Sequence, residues 1–292
     1  MREFDFLEPA SVAEASRMLA DLGEDCRVMA GGTALMLAMR QRMLSPTHIV
    51  SVARIDALRG IAYDPHRGLR IGALSRHCDV ARSPLVREHY PMLAAMADRM
   101  ANPQVRHQGT IGGNLCYADP ATDPPTCLMA LDAKVVLANA RGERVLDMEA
   151  FLVDYYMTAI EPDEVVLEIR MPAPSADASG LYTRFLRTAA DHRPTVNVAL
   201  ATRRTGARCH EMRLVVGAST PVPARLTRAE TLLAGKTITL ELAAEAADIA
   251  ATDIVALSDA RGAEDYRRDM VRVVTRRTIA SLFGLASTGE AA

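Results

Sequence analysis

Apolar residues recur at two spacings along the first fifty positions, and the switch between them places the first elements. Val12, Ala15, Leu19 and Leu22 stand three or four apart, the period of one helix face. Ser11-Val12-Ala13-Glu14 forms a capping box in front of them, and Gly23 supplies the stop. Arg27-Val28-Met29-Ala30 is a short apolar run of the kind a buried strand needs. Gly31-Gly32-Thr33 follows at once, and a second helix is expected over about 34–43, broken by Pro46. His48-Ile49-Val50-Ser51-Val52 reads as the next strand. The pattern predicts a helix–strand–loop–helix–strand unit with a glycine pair at a strand-to-helix junction. There the N–H groups of a helix start point at whatever fills the loop.

Further along, 69–73 predicts a strand, and Pro91 opens a helix to about 100 that Asn102-Pro103 closes. Gln104 to Gly109 lead into a second glycine pair, Thr110-Ile111-Gly112-Gly113-Asn114. Asp119-Pro120 and Asp123-Pro124-Pro125 predict a rigid, irregular stretch. Residues 134–139 and 143–146 read as a hairpin turning near Arg141-Gly142, and 164–169 as a strand. Pro172-Ala173-Pro174-Ser175-Ala176 marks a boundary. Beyond it strands at 181–187, 195–201 and 212–216 precede helices at about 225–233, 240–251 and 265–283, an α+β order. Residues 286–292 are small and polar and are expected to fray.

Composition narrows the function. The chain of 292 residues has a formal net charge of −2, which offers nucleic acid no electrostatic footing. No apolar run approaches the roughly 18 residues of a membrane span, and Met1-Arg2-Glu3-Phe4-Asp5 does not resemble a signal segment, so a cytoplasmic location is expected. Five cysteines, an odd number without Cys-x-x-Cys, predict reduced thiols and neither a disulfide framework nor an iron–sulfur cluster in this chain. Cys116, beside the second glycine pair, has no activating neighbour. The 15 methionines suit core filling, with any exposed subset suited to a partner surface. His77 and His107 have no companion ligand at metal-binding spacing and are expected to face solvent or to be hydrogen-bonded.

The two glycine pairs carry the chemistry. Glycine lets backbone N–H groups approach an anion without a Cβ in the way, and Thr33, Thr110 and Asn114 add side-chain donors. A ligand touching both pairs needs an extended anionic centre, which a dinucleotide pyrophosphate provides; two ligand-free turns are the plain alternative. Asp123 can accept hydrogen bonds from ribose hydroxyls. Gly-x-Gly-x-x-Gly, the P-loop pattern and Gly-x-Ser-x-Gly are all absent, against a Rossmann, P-loop or serine-hydrolase reading.

These residues resemble a known family. Ala30-Gly31-Gly32-Thr33-Ala34-Leu35 looks like its first FAD loop, and Arg106-His107-Gln108-Gly109-Thr110-Ile111-Gly112-Gly113-Asn114-Leu115, continued by Pro120 and Asp123, like its second. The family is the FAD-binding medium subunit of the molybdenum hydroxylases, which includes the flavoprotein of carbon monoxide dehydrogenase and the matching domain of xanthine dehydrogenase. The opening Phe4-Asp5-Phe6-Leu7-Glu8-Pro9, the stretch Glu161-Pro162-Asp163-Glu164, and Asp259-Ala260-Arg261-Gly262 with Tyr266-Arg267-Arg268 extend the resemblance over nearly the whole chain.

The resemblance implies an α+β protein. A vanillyl-alcohol-oxidase-like FAD region of two α/β subdomains (about 1–56 and 57–176) would be followed by a C-terminal α+β domain over 177–292. It implies FAD contacts at Ala30, Gly31, Gly32, Thr33, Ala34, Thr110, Ile111, Gly112, Gly113, Asn114 and Asp123, and, on a looser match, at Val166 and Arg184. The molybdenum cofactor and [2Fe–2S] clusters are then expected only in a large and a small partner subunit, in a dimer of heterotrimers that passes electrons to an external acceptor. His192 after Asp191 departs from the aromatic found in carbon monoxide dehydrogenase relatives, and the cysteine-bearing insertion of hydroxybenzoyl-CoA reductase relatives is missing. No general base or nucleophile is expected. The rivals are a flavin-free assembly subunit and a stand-alone flavin oxidase.

Overall fold

Helix Val12–Leu22 starts at the predicted cap: Ser11 Oγ accepts the Glu14 N–H at 3.2 Å, and Gly23 ends it with φ at 58°. The return bond of the box comes from Ala10, whose N–H reaches Glu14 Oε2 at 2.8 Å. The computed structural model describes residues 2–188 and 191–285, so the expected fraying of 286–292 lies outside the described residues.

The chain divides into two units. The first comprises Met1–Glu88, Ala101–Asp119 and Asp132–Ala173. It opens with three parallel strands, Asp5–Leu7, His48–Ser51 and Cys26–Met29, with His48–Ser51 in the middle. That central strand is buried as an interior parallel strand must be, with Ile49 and Val50 fully enclosed. Ala15 and Leu19 of the first helix join Val50, Ile55 and Leu58 in one cluster. A five-stranded antiparallel sheet follows, in the order Ile61–Asp64, Gly68–Gly72, Val165–Met171, Lys134–Asn139, Gly142–Asp147. The last two strands are the predicted hairpin. At its base Arg144 clamps buried Glu164, Nε to Oε1 at 2.6 Å and Nη2 to Oε2 at 2.7 Å. The Arg144 hydrogen bonds hold the Glu164 carboxyl below the usual range against the opposing effect of burial. The family-like Glu161–Glu164 stretch is thus explained by folding.

The second unit comprises His89–Met100, Pro120–Leu131 and Pro174–Ala292. Its sheet is an antiparallel meander, Ala178–Phe185, Val196–Thr205, Arg208–Gly217 and Ala224–Arg225. Alternation divides the second strand between two faces. Val196, Val198 and Leu200 pack with helices Leu240–Asp253 and Glu264–Leu282, while Asn197 accepts the Thr126 hydroxyl from helix Pro124–Ala130 at 2.9 Å. Five buried alanines on Leu240–Asp253 let that helix lie close to its neighbours.

The predicted irregular stretch at Pro124-Pro125 is a helix, Pro124–Ala130. Proline at the first helical positions lacks only an N–H that would be unbonded there anyway. The helix expected over 34–43 is Thr33–Arg40: Arg42 turns left-handed at φ 59°, and the Met43 N–H returns to Ala38 O at 2.9 Å, which closes the helix before Pro46.

Arg267 anchors the second unit. Its side chain is fully buried, and it donates to Thr195 O at 2.8 Å, Ala218 O at 2.7 Å, Gly262 O at 3.3 Å and Asp259 Oδ1 at 2.6 Å. Burial raises the Asp259 carboxyl, but hydrogen bonds from Arg261 and Arg267 outweigh it and bring it down to about 2. A depressed carboxylate stabilises the fold above its unfolded pKa near 4, and that stability is lost as pH falls through the folded value. Chemical denaturation of the wild type should therefore lose roughly 2 kcal/mol more than Asp259→Asn between about pH 4 and pH 2. Parallel pH profiles of the two proteins would refute this.

Candidate functional site

The fold brings the two glycine pairs together. Gly31 follows strand Cys26–Met29, Gly32 turns left-handed at φ 70°, and Thr33 begins helix Thr33–Arg40. Opposite stands the end of helix Pro103–Gln108. A Cβ on Gly31 would lie 2.0 Å from Gln108 O, so only glycine allows the approach. A Cβ on Gly113 would come within 3.7 Å of the Ala30 Cβ.

The two pairs differ in what their backbone offers. At the first, no side chain caps the helix, and no hydrogen bond among the described residues takes up the N–H groups of Thr33, Ala34 and Leu35. The second is not an open loop. Thr110 caps a helix, Ile111–Tyr117, that contains both glycines. Its donors are already bonded: Ile111 N–H to Ser75 O at 3.0 Å, Gly112 to Ala73 O at 2.9 Å, Gly113 to Thr110 Oγ1 at 3.1 Å and Asn114 to Thr110 O at 3.0 Å. The expectation that both pairs hold free donors is corrected. Gly112 is required by packing, since its Cβ would fall 2.6 Å from that of Ala73.

A cavity of about 550 Å³ opens beside the junction, within the usual range for small-molecule sites. Ala30 and Gly31 line it from the first pair and Thr110 from the second, together with Arg59, Arg76 and His107. The sequence reading missed the two arginines. Arg76 reaches Thr110 only through an antiparallel bridge across 34 positions, which no local pattern announces. His107 is exposed at the cavity, whereas His77 is buried, its pKa pushed down to about 4 by desolvation. His77 faces no solvent: it lies under Gly109, whose Cβ would meet its ring at 3.3 Å.

The remaining candidates have other surroundings. Val166 is buried on strand Val165–Met171, paired with Leu137 beside a bulge. Asp123 and Arg184 belong to the second unit and meet there. Asp123 Oδ1 accepts the Tyr182 hydroxyl at 2.7 Å, and Arg184 Nε stands 3.4 Å away. Arg184 also donates to the carbonyls of Arg99 and His192. Burial lifts the Asp123 carboxyl, with Arg184 and Tyr182 opposing it. His192 therefore enters through its backbone.

Open donors at a helix start beside a cavity lined by Ala30, Gly31, Arg59 and Arg76 fit a protein that binds an anionic, phosphate-bearing cofactor. Comparison with known proteins gives the family. Residues 2–174 match the FAD binding domain in molybdopterin dehydrogenase, and residues 181–282 match the CO dehydrogenase flavoprotein C-terminal domain. The chain is 33% identical to the carbon monoxide dehydrogenase medium chain of Hydrogenophaga pseudoflava, over 94% of this chain and 96% of that one. It is 32% identical to the 6-hydroxypseudooxynicotine dehydrogenase complex subunit alpha of Paenarthrobacter nicotinovorans, over 95% and 93%. A solved Hydrogenophaga pseudoflava carbon monoxide dehydrogenase lacking the Mo-pyranopterin moiety superposes with a TM-score of 0.93 at 34% identity, covering 98% of this chain and 99% of that one. The chain belongs to the FAD-binding medium subunits of the molybdenum hydroxylases. Its cofactor is FAD, and it is a subunit of an oxidoreductase. Among the described residues no helix is long and apolar enough to cross a membrane, and no trio of His, Cys, Asp or Glu is placed to hold a metal.

Proposed function

We propose that this chain is the electron-relay subunit of a cytoplasmic molybdenum-containing dehydrogenase, a dimer of heterotrimers. A large subunit with the molybdenum cofactor oxidises the substrate, and a small subunit with [2Fe–2S] clusters delivers the electrons. Bound FAD supplies the redox chemistry that accepts them and hands them to an external acceptor. This chain's residues hold the cofactor. Thr33 and Ala34 offer backbone donors behind Ala30, Gly31 and Gly32, while Thr110, Ile111, Gly112, Gly113 and Asn114 form the brace against which that first loop is set. Asp123, Val166 and Arg184 stand as flavin contacts on the resemblance alone, as does the division into an FAD-binding region over 1–176 and a C-terminal domain over 177–292.

The observation that carries this reading is the junction itself: unbonded helix-start donors that follow Ala30 and Gly31, which line a cavity together with Thr110. The relatives add a second argument. Carbon monoxide and 6-hydroxypseudooxynicotine appear in the names of proteins similar to this chain over nearly its full length, so substrate choice belongs to another subunit. The test is a visible spectrum of the purified chain. Flavin bands are expected, together with bleaching only when a reduced iron–sulfur partner is added. A flavin-free protein, even after co-expression with partners, would make it an assembly subunit. Bleaching of the isolated chain by an organic substrate would make it a stand-alone oxidase.

A further inference from the structure

A surface helix normally turns a polar face to water. Helix Thr33–Arg40, which leaves the first glycine pair, does not: between its terminal Thr33 and Arg40 every residue is apolar. Ala38 and Met39 are buried, Leu35 and Met36 are half-buried, and Leu37 is 54% exposed. The exit from the helix repeats the pattern. The Arg42 N–H bonds Met39 O at 3.1 Å and the Met43 N–H bonds Ala38 O at 2.9 Å, a turn whose left-handed residue is usually glycine. Here that residue is Arg42, at φ 59°, an unfavourable conformation for a side chain with a Cβ. Met43, which in such a turn usually packs back on the helix, is 72% exposed. Two local preferences are given up at one place, and each loss sets a side chain on the surface. Rules broken together in this way mark a functional site more often than an accident of folding.

The same stretch is cationic. Between Asp25 and Asp56 the sequence has no carboxylate but holds Arg27, Arg40, Arg42 and Arg54, in a chain of net charge −2. The carbonyls of Glu24 and Cys26 take up Arg27, and Glu8 pairs with Arg54. Arg40 and Arg42 are exposed, and no ion pair or side-chain hydrogen bond engages either among the described residues. An apolar surface rimmed by unpaired cations fits a partner whose apolar surface is rimmed by carboxylates. Position selects the partner. The helix starts at the glycine pair that the FAD reading gives to the cofactor, and at 1.5 Å per residue Leu37 stands only about 6 Å along it. A chain that delivers electrons to the flavin has to seat its cluster close by. We propose that Leu37, Arg40, Arg42 and Met43 form the docking site of the small [2Fe–2S] subunit, which meets them with an apolar, acid-rimmed surface. The proposal rests on the electron-relay reading above and adds the surface at which the donor arrives.

The experiment titrates the full chain with the purified small [2Fe–2S] subunit by calorimetry, at about 0.05 and 0.5 M salt. Leu37→Glu and Met43→Glu should each weaken binding at least about tenfold, because each sets a carboxylate in an apolar interface, while flavin content and thermal midpoint stay those of the wild type. The double variant Arg40→Gln with Arg42→Gln should lose much of the salt dependence. Arg42→Gly relieves the left-handed turn, so it should raise the thermal midpoint and still weaken the partner, a pairing that a purely structural role does not produce. Met157→Glu, at an exposed position on the 152–158 hairpin of the same unit, is the control and should bind like the wild type. Unchanged affinity in Leu37→Glu and Met43→Glu would overturn the proposal. So would a loss confined to the large molybdenum subunit, which would then own this face. The titration needs no bound flavin, so a flavin-free wild type would sink the FAD reading separately from the docking result.

Discussion

Gly31→Ala should purify with less than about a tenth of the flavin bound by the wild type. The added Cβ would stand 2.0 Å from Gln108 O and 2.9 Å from Gln108 C. Both are backbone atoms, so no rotamer relieves the overlap, and one of the two loops has to move. Overpacking of this kind costs about 1–3 kcal/mol even where side chains can adjust. Here the displacement also pulls Ala30 from Gly113 and tilts the helix start whose N–H groups stand open. Loss of cofactor should therefore exceed loss of stability. The ratio of flavin to protein absorbance measures the first, and thermal unfolding of flavin-stripped protein the second. An alanine variant that keeps its full flavin would separate this junction from the cofactor.

Arg267→Met should destabilise the second unit by about 3 kcal/mol, read as a shift in the urea midpoint. Methionine fills much of the volume, so the effect isolates the polar bonds. Thr195 O keeps the Ser219 hydroxyl at 3.0 Å, and Asp259 keeps Arg261 at 2.6 Å, but Ala218 O has no second donor among the described residues. Arg267→Lys should recover only part of the loss, because one ammonium cannot reach three carbonyls and a carboxylate in fixed directions. A midpoint within about 0.5 kcal/mol of the wild type would show that the buried guanidinium contributes little.

The elements were legible where local chemistry decides them. Ser11 and Glu14 cap their helix, the 134–147 hairpin turns where Arg141-Gly142 predicts, and the strands and helices after Pro174 come in the expected order. Local reading failed where one residue type serves two conformations. Pro124-Pro125 signals a loop as readily as a first helical turn, and Gly112-Gly113 reads as an open loop until Thr110 caps a helix over it. His77 reads as either a solvent-facing or a hydrogen-bonded histidine, because nothing in its neighbourhood announces that Gly109 will cover it.

The sequence by itself set out two glycine pairs, flanked by Thr33, Thr110 and Asn114, that suit an anionic cofactor, and the resemblance of their flanks pointed to FAD. These are properties of short segments, set by glycine's missing side chain and by threonine's capping hydroxyl. Only the tertiary structure decided which pair keeps its donors free, that Gly31 meets Gln108, and that Arg59 and Arg76 share a cavity without a carboxylate. Hydrogen bonds between Gly112 and Ala73, or Ile111 and Ser75, span more than thirty positions, and charge becomes chemistry only when folding places it beside a ligand.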